Sequence, residues 1–140
     1  MKNVTYPLIK RFMVEYPGTV AWRVRAHSSV VDKHLGKDEE VLYAFCGQKN
    51  NSFYDFFSTC VIAITSKRIV IAQKRVLFGY YFTSITPEMF NDINVYSGLL
   101  FGKVIIDTIK EEVVISNVSK RAIPEIEANI TEYVTGPKTS

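Results

Sequence analysis

The side chains in this sequence with chemistry to offer are few, and their spacing assembles no reaction. His27 and His34 stand seven apart and can share one side of a helix, but two histidines without a third ligand make no metal site. Cys46 and Cys60 sit inside apolar runs, YAFCG and STCVIAI, and read as small buried hydrophobes rather than as a disulfide or metal ligands. Asp38-Glu39-Glu40 and Glu111-Glu112 are carboxylate neighbours at turns or strand ends. A general acid–base pair needs carboxylates facing each other across a cleft, and adjacency in the chain does not supply that. These groups read as solvated surface. A glycine-rich phosphate loop, a Gly-X-Ser-X-Gly elbow and a paired-histidine motif are all missing. The expectation is no enzyme, no catalytic residue, no metal and no cofactor.

Cations and aromatics are the remaining candidates. Their meaning depends on how the strands connect. In a simple up-and-down meander, the connections near 48–55, 75–79 and 98–102 share one end with the start of a C-terminal helix. That end holds Lys49, Lys74, Arg75, Lys103, Lys120 and Arg121, against Asp55. The other end mixes Lys67, Arg68 and Lys110 with Glu88, Asp92, Glu111 and Glu112. Phe53, Tyr54, Phe78, Leu99, Leu100 and Phe101 lie near the basic end. Cations beside exposed apolar groups suit an anionic head group, a membrane surface or an acidic peptide. The plainer alternative has the aromatics capping the core and the cations solvating its rim. If there is a site, the Lys74-Arg75 end is its expected place. A net charge of +3 and the lack of any recognisable nucleic-acid module argue against nucleic acid.

The elements that must position these residues can be read from periodicity. The core of the pattern is 57–75, FSTCVIAITSKRIVIAQKR, in which two β-branched runs flank a polar Ser66-Lys67 turn. Branched side chains fit a pleated surface, so this reads as a hairpin. Around it, strand-like runs cover 40–47, 56–65, 68–75, 79–86, 91–97, 102–109 and 112–118, separated by turn residues. Before them, Leu8, Ile9, Phe12, Met13 and Tyr16 recur at a helical period over 6–16, ended by Pro17-Gly18. With Lys10 and Arg11 on its other face, this helix either docks on its own domain or a partner, the favoured reading, or lies on a membrane surface. Residues 19–25 alternate like a strand, with helix as the alternative. Ser28 or Ser29 then caps a short helix through Leu35, and Gly36 suits a left-handed C-terminal position. After the strands, Ile123, Ile126, Ile130, Tyr133 and Val134 fall on one helical face. The helix starts at Ser119 with Pro124 inside it, or with Pro124 in its first turn, and Gly136-Pro137 ends it.

Composition fits this plan. An apolar fraction of 47% and a charged fraction of 22% over 140 residues are ordinary for a soluble domain that needs no disulfide or metal. Pro7, Lys10 and Arg11 interrupt any leader, and no apolar run is long enough to span a bilayer. The expected setting is a reducing cytoplasm, in which the Asn-X-Ser/Thr matches at Asn3, Asn50, Asn117 and Asn129 are chance.

The order of elements, and five short motifs within it, resemble a known family. Gly36-Lys37-Asp38-Glu39-Glu40-Val41-Leu42 opens the first strand, and Ile64-Thr65-Ser66-Lys67-Arg68-Ile69-Val70 forms the hairpin. Ser84-Ile85-Thr86 is followed by Ile93, Leu100-Phe101-Gly102-Lys103-Val104 comes later, and Asn117-Val118-Ser119-Lys120 leads into the helix. Over about 36–135 the chain resembles the bacterial pleckstrin-homology-like family, of the YokE-like type. The resemblance implies a mainly β fold: a bent, seven-stranded antiparallel sheet or barrel capped by one C-terminal helix. It divides the chain into a helical extension at 1–35, the pleckstrin-homology-like domain at 36–135 and a tail at 136–140. It implies a binding module without catalytic residues. In eukaryotic relatives a basic motif between the first two strands binds phosphoinositides; the corresponding Gln48–Asp55 stretch here has one Lys and no Arg. The partner expected first is therefore protein, including copies of the chain in a homo-oligomer, with residues 1–35 as a clasp. The second is an anionic lipid or other anionic ligand at the basic end.

Overall fold

The computed structural model describes residues 3–49, 59–75 and 78–135. Two helices lead, α1 (Thr5–Glu15) and α2 (Val24–His34). Seven strands follow: β1 (Val41–Lys49), β2 (Thr59–Thr65), β3 (Ile69–Lys74), β4 (Tyr80–Ile85), β5 (Phe90–Ser97), β6 (Phe101–Thr108) and β7 (Glu112–Ser119). Helix α3 (Ile123–Thr135) closes the chain, and single 3-10 turns occupy Pro87–Met89 and Lys120–Ala122. The strands form one antiparallel, curled sheet in the order β4-β3-β2-β1-β7-β6-β5, so the mainly β expectation holds.

Two kinds of strand reflect two environments. β6 and β7 alternate: Val104, Ile106, Val113 and Ile115 are buried while Lys103, Asp107 and Val114 reach toward solvent. β2 and β3 do not. All of Thr59–Thr65 and Ile69–Ala72 are buried, because α2 covers their outer face while the other face looks into the enclosed core. Cross-strand pairing puts Phe45, Ile62 and Ile71 on the enclosed face. On the outer face, α2 lies over Thr59, Val61 and Ala72, with His34 stacked 4.1 Å from Phe82. A strand buried on both faces reads as a continuous apolar run. The uninterrupted 61–64 and 69–72 runs are thus the mark left in the sequence by α2.

β1 meets β7 through two pairs among the described residues, Gln48–Ser116 and Lys49–Ile115. Along the rest of β1 the neighbour is α1, whose Phe12 ring lies 6.2 Å from Phe45. Ile9 and Phe12 are buried, and Leu8, Met13 and Tyr16 pack beside them, so the apolar stripe is satisfied within the chain. The connection after α1 is pinned to β7: Val20 N–H donates to the Asn117 carbonyl, and Ser119 N–H donates to Thr19 Oγ1. Asn117 holds φ 55°, a left-handed value that Asn tolerates, and its side chain bonds Gln48. At the far side, Ile123 and Ile126 of α3 cover the enclosed face, and Gly102 gives Ile123 its room.

Several expectations are corrected. Residues 19–25 are not a strand: 19–23 form a connection held to β7 by the Val20 and Thr19 bonds, Arg23 takes a left-handed φ of 57°, and α2 begins at Val24. Ser28 and Ser29 lie inside α2 and bond back to the Val24 and Ala26 carbonyls instead of capping it. Gly36 is not left-handed; α2 ends on an extended Leu35, and the Gly36 N–H donates to Glu39. The C-terminal helix takes the second predicted start, with Pro124 in its first turn and no side-chain bond from Ser119. Residues 50–58, where Phe53, Tyr54 and Asp55 fall, and the Gly136-Pro137 stop lie outside the described residues.

Candidate functional site

The chemistry-bearing residues turn out to be structural. His27 is 1% exposed. Its Nδ1 accepts the Lys74 backbone N–H at 2.8 Å, which leaves Nε2–H to donate to Thr59 Oγ1 at 3.1 Å. Thr59 in turn donates to the Trp22 carbonyl at 2.7 Å. Burial first, then the charge of Arg23, lowers the His27 pKa to about 4. The imidazole is therefore neutral and ties α2 to β2 and β3. His34 faces Tyr80 and Phe82, so the two histidines do not converge, and the described residues contain no metal-ligating cluster. Cys46 and Cys60 are buried free thiols, as read from the sequence. Burial pushes Cys46 up to about 12 and Cys60 higher still, so neither is a nucleophile near neutrality.

Glu39 corrects the solvated-surface reading of Asp38-Glu39-Glu40. Its side chain is 2% exposed and receives two bonds from Arg68, Nε at 2.9 Å and Nη2 at 3.0 Å. Burial works against its charge. Arg68, the Gly36 N–H and Thr65 outweigh that and hold the carboxyl down to about 2. Arg68 also donates to the His34 carbonyl and lies 5.4 Å over the Phe82 ring. Arg68, at the β2–β3 turn, is the lock between α2 and that hairpin.

The six predicted site cations fall into separate places. The sheet order explains why. β4 and β5 lie at opposite edges, so the chain is not one sequential meander. Antiparallel pairing of β7 with β1 turns the 98–100 connection toward the start of β1, and the 109–111 connection toward its end. Lys74, Arg75 and Lys49 are therefore on the side of Glu111, and Tyr81, whose ring lies 3.9 Å from Lys49 Nζ, reaches Glu111 at 3.4 Å. Arg23 joins Lys74 there through a bond to its carbonyl, a neighbour that the spacing did not reveal. Lys49 shares the row Lys49–Ile115–Val104 and points to the enclosed face. Lys103, one residue off that row, points outward over Tyr96. Lys120 bonds the Leu99 carbonyl, and Arg121 is exposed beside it.

A concavity lies elsewhere. A cleft of about 780 Å³ opens between β1, the β2–β3 turn and α3. Leu42, Ile64, Pro87 and Tyr133 supply apolar walls, and Lys67, Glu88 and Glu132 supply both signs of charge. Leu42, Tyr43 and Asn129 also line a second cleft of about 420 Å³ between α1 and α3, so the two form one groove along β1. Its floor is braced by Glu125, which accepts Tyr16 OH at 3.0 Å and Tyr43 OH at 2.8 Å. Burial first, and the Glu125 carboxylate second, raise both phenols, so they stay protonated donors. Sequence reasoning missed this groove because α1 and β1 supply one part of its walls and α3, more than 80 positions further along the chain, supplies the rest. Exposed Leu42 within an apolar strand was its one signal.

The family model for the bacterial PH domain matches residues 35–132. The chain belongs to the bacterial PH domain family. Two crystal structures are similar to this bacterial PH domain. One is a pleckstrin homology domain from Shewanella amazonensis SB2B, 16% identical, with a TM-score of 0.53 over 89% of this chain and 99% of that one. The other is a DUF1696 family protein with a pleckstrin-homology domain from Shewanella loihica PV-4, 10% identical, with a TM-score of 0.49 over 80% and 97%. No curated protein matches the chain. Membership implies a binding module. No described helix is long and apolar enough to cross a membrane.

Proposed function

We propose that this bacterial PH domain is a non-catalytic binding module whose partner is another protein, gripped as an extended segment in the groove between β1 and α3. One observation carries the reading. Among the described residues β1 pairs with β7 only through Gln48 and Lys49, so the β7-side edge near Leu42–Ala44 borders a groove instead of a strand. An extended peptide can add to such an edge through main-chain bonds, with neighbouring pockets reading its side chains. The walls support a peptide over a polyanion, since Lys67 is offset by Glu88 and Glu132. A role for α1 as a clasp on a neighbouring copy loses its motive, because its apolar stripe is spent on its own sheet.

A random-peptide display library panned on the full chain tests this. Selected peptides should shift the amide resonances of residues 42–44 and 129–133. Their affinity should fall on the order of tenfold in Tyr133→Ala, the scale of a truncated aromatic anchor. Shifts confined to other surfaces, or equal affinity for the variant, would remove the groove from the account. Sedimentation over a concentration range identifies a second copy of the chain as the occupant, if association is lost in Leu42→Asp.

A further inference from the structure

The β5–β6 hairpin carries an apolar tip that the core does not use. Leu99 is 87% and Leu100 72% exposed, and they are consecutive at the turn. The turn itself is well formed, with Gly98 N–H donating to the Phe101 carbonyl at 2.8 Å and Lys120 Nζ donating to the Leu99 carbonyl at 3.2 Å. The leucines are therefore held outward by a bonded turn. Phe101 is partly exposed just behind them. Further back, the cross-strand pair Tyr96–Lys103 forms a collar, with Lys103 Nζ 5.2 Å from the Tyr96 ring. Lys120 and Arg121 complete it from the start of the 3-10 turn.

Charge is sorted along this half of the sheet. Residues 95–104 and 117–122 contain Lys103, Lys120 and Arg121 and no Asp or Glu. The opposite end of the same strands holds Asp92, Asp107, Glu111 and Glu112 against Lys110. An apolar tip with a purely cationic collar and a distant acidic root has one natural complement, a low-dielectric layer under a negatively charged surface. The spacing agrees. Three strand residues separate Leu100 from Lys103, about 10 Å at strand rise. That matches the roughly 5–10 Å to which interfacial apolar groups enter the headgroup–acyl boundary. With the leucines at that depth, Lys103 stands at the phosphates, and the Tyr96 ring takes the interfacial level that tyrosine favours. The collar then gains from the anionic surface potential.

We propose that the β5–β6 tip is a membrane-contact site, inserting Leu99 and Leu100 into an anionic bilayer surface while Lys103, Lys120 and Arg121 engage the lipid phosphates. The site is independent of the β1–α3 groove, and neither needs the other.

The test is co-sedimentation of the full chain with phosphatidylcholine vesicles containing roughly a third phosphatidylserine, and with phosphatidylcholine alone. The expected result is binding to the anionic vesicles that weakens with salt. Leu99→Asp with Leu100→Asp should abolish it, and Lys103→Glu should lower it at least about threefold at low salt, consistent with the loss of one cation near the surface. These positions are exposed, so circular dichroism should show unchanged folding. A dye on Leu100→Cys reports depth, because Cys46 and Cys60 are buried and do not compete for it; its emission should shift to the blue on anionic vesicles. Tyr133→Ala should bind vesicles like wild type, which separates this site from the groove. No binding at low salt, or equal binding by the double aspartate variant, overturns the proposal. So does a tip whose substitution changes only the sedimentation of the free protein, which would make it a surface between copies.

Discussion

Protonation of His27 should unfasten α2 from the sheet, and the size of the effect follows from its bonds. The Lys74 N–H requires a lone pair on Nδ1, so an added proton sets two donors face to face at 2.8 Å. The ring is 1% exposed, so water cannot relieve the conflict in place. The folded pKa of about 4 lies below the ordinary 6.5. The folded state therefore disfavours the proton. The associated stability is fully present above pH 6.5 and is lost as pH falls through 4. A gap of that width corresponds to ~3 kcal/mol. His27→Asn keeps an acceptor for Lys74 but loses the donor to Thr59. It should cost about 1–3 kcal/mol at pH 7.5. Its stability should then fall less steeply than wild type between pH 6.5 and 4. Urea denaturation followed by Trp22 fluorescence measures both, since the Trp22 carbonyl belongs to the same network. Subtracting the variant's curve from the wild type removes the contribution of carboxylates titrating nearby. Parallel curves, or a His27 ring resonance titrating near pH 6.5, would refute the tautomer and the lock built on it.

Two further outcomes follow from the packing. Glu39→Gln should destabilise the domain by ~3 kcal/mol at pH 7, because the carboxyl is held near 2 against an ordinary 4.5 and Arg68 loses its counter-charge. That cost should shrink as pH falls from 4.5 toward 2, where wild type also loses the charge; denaturant midpoints across this range check the sign. Gly102→Ala would drive a Cβ into Ile123 Cγ1 and place it 3.1 Å from the Tyr96 carbonyl. It should cost about 1–3 kcal/mol in thermal unfolding, and adding Ile123→Val should restore part of it.

Strand positions and both amphipathic helices were legible in the chain because each follows from local periodicity. β-branched runs, turn residues and i, i+3, i+4 stripes act over a few residues, and the strands found differ from the runs read by one to three positions. Only the second half of α2 was legible, as a short helix through Leu35; its start at Val24 was not, because Val24 continues a strand-like alternation and Ser28 and Ser29 mimic caps, and the sheet beneath overrides those local preferences. The groove and the fate of the six cations were equally hidden, since both depend on which strands become neighbours.

What the amino-acid pattern decided is the inventory: seven strands, a closing helix, an apolar α1 stripe in need of cover and buried cysteines. Pairing β1 with β7 was decided only in three dimensions, because hydrogen bonding between strands 60 or more residues apart leaves no local trace. That one pairing sends the Leu99-Leu100 turn and the Lys74-Arg75 turn to opposite ends of the sheet. It also leaves β1 an edge beside a groove, while the seating of α2 on β2 and β3 makes Arg68 and His27 the bolts that hold that helix in place.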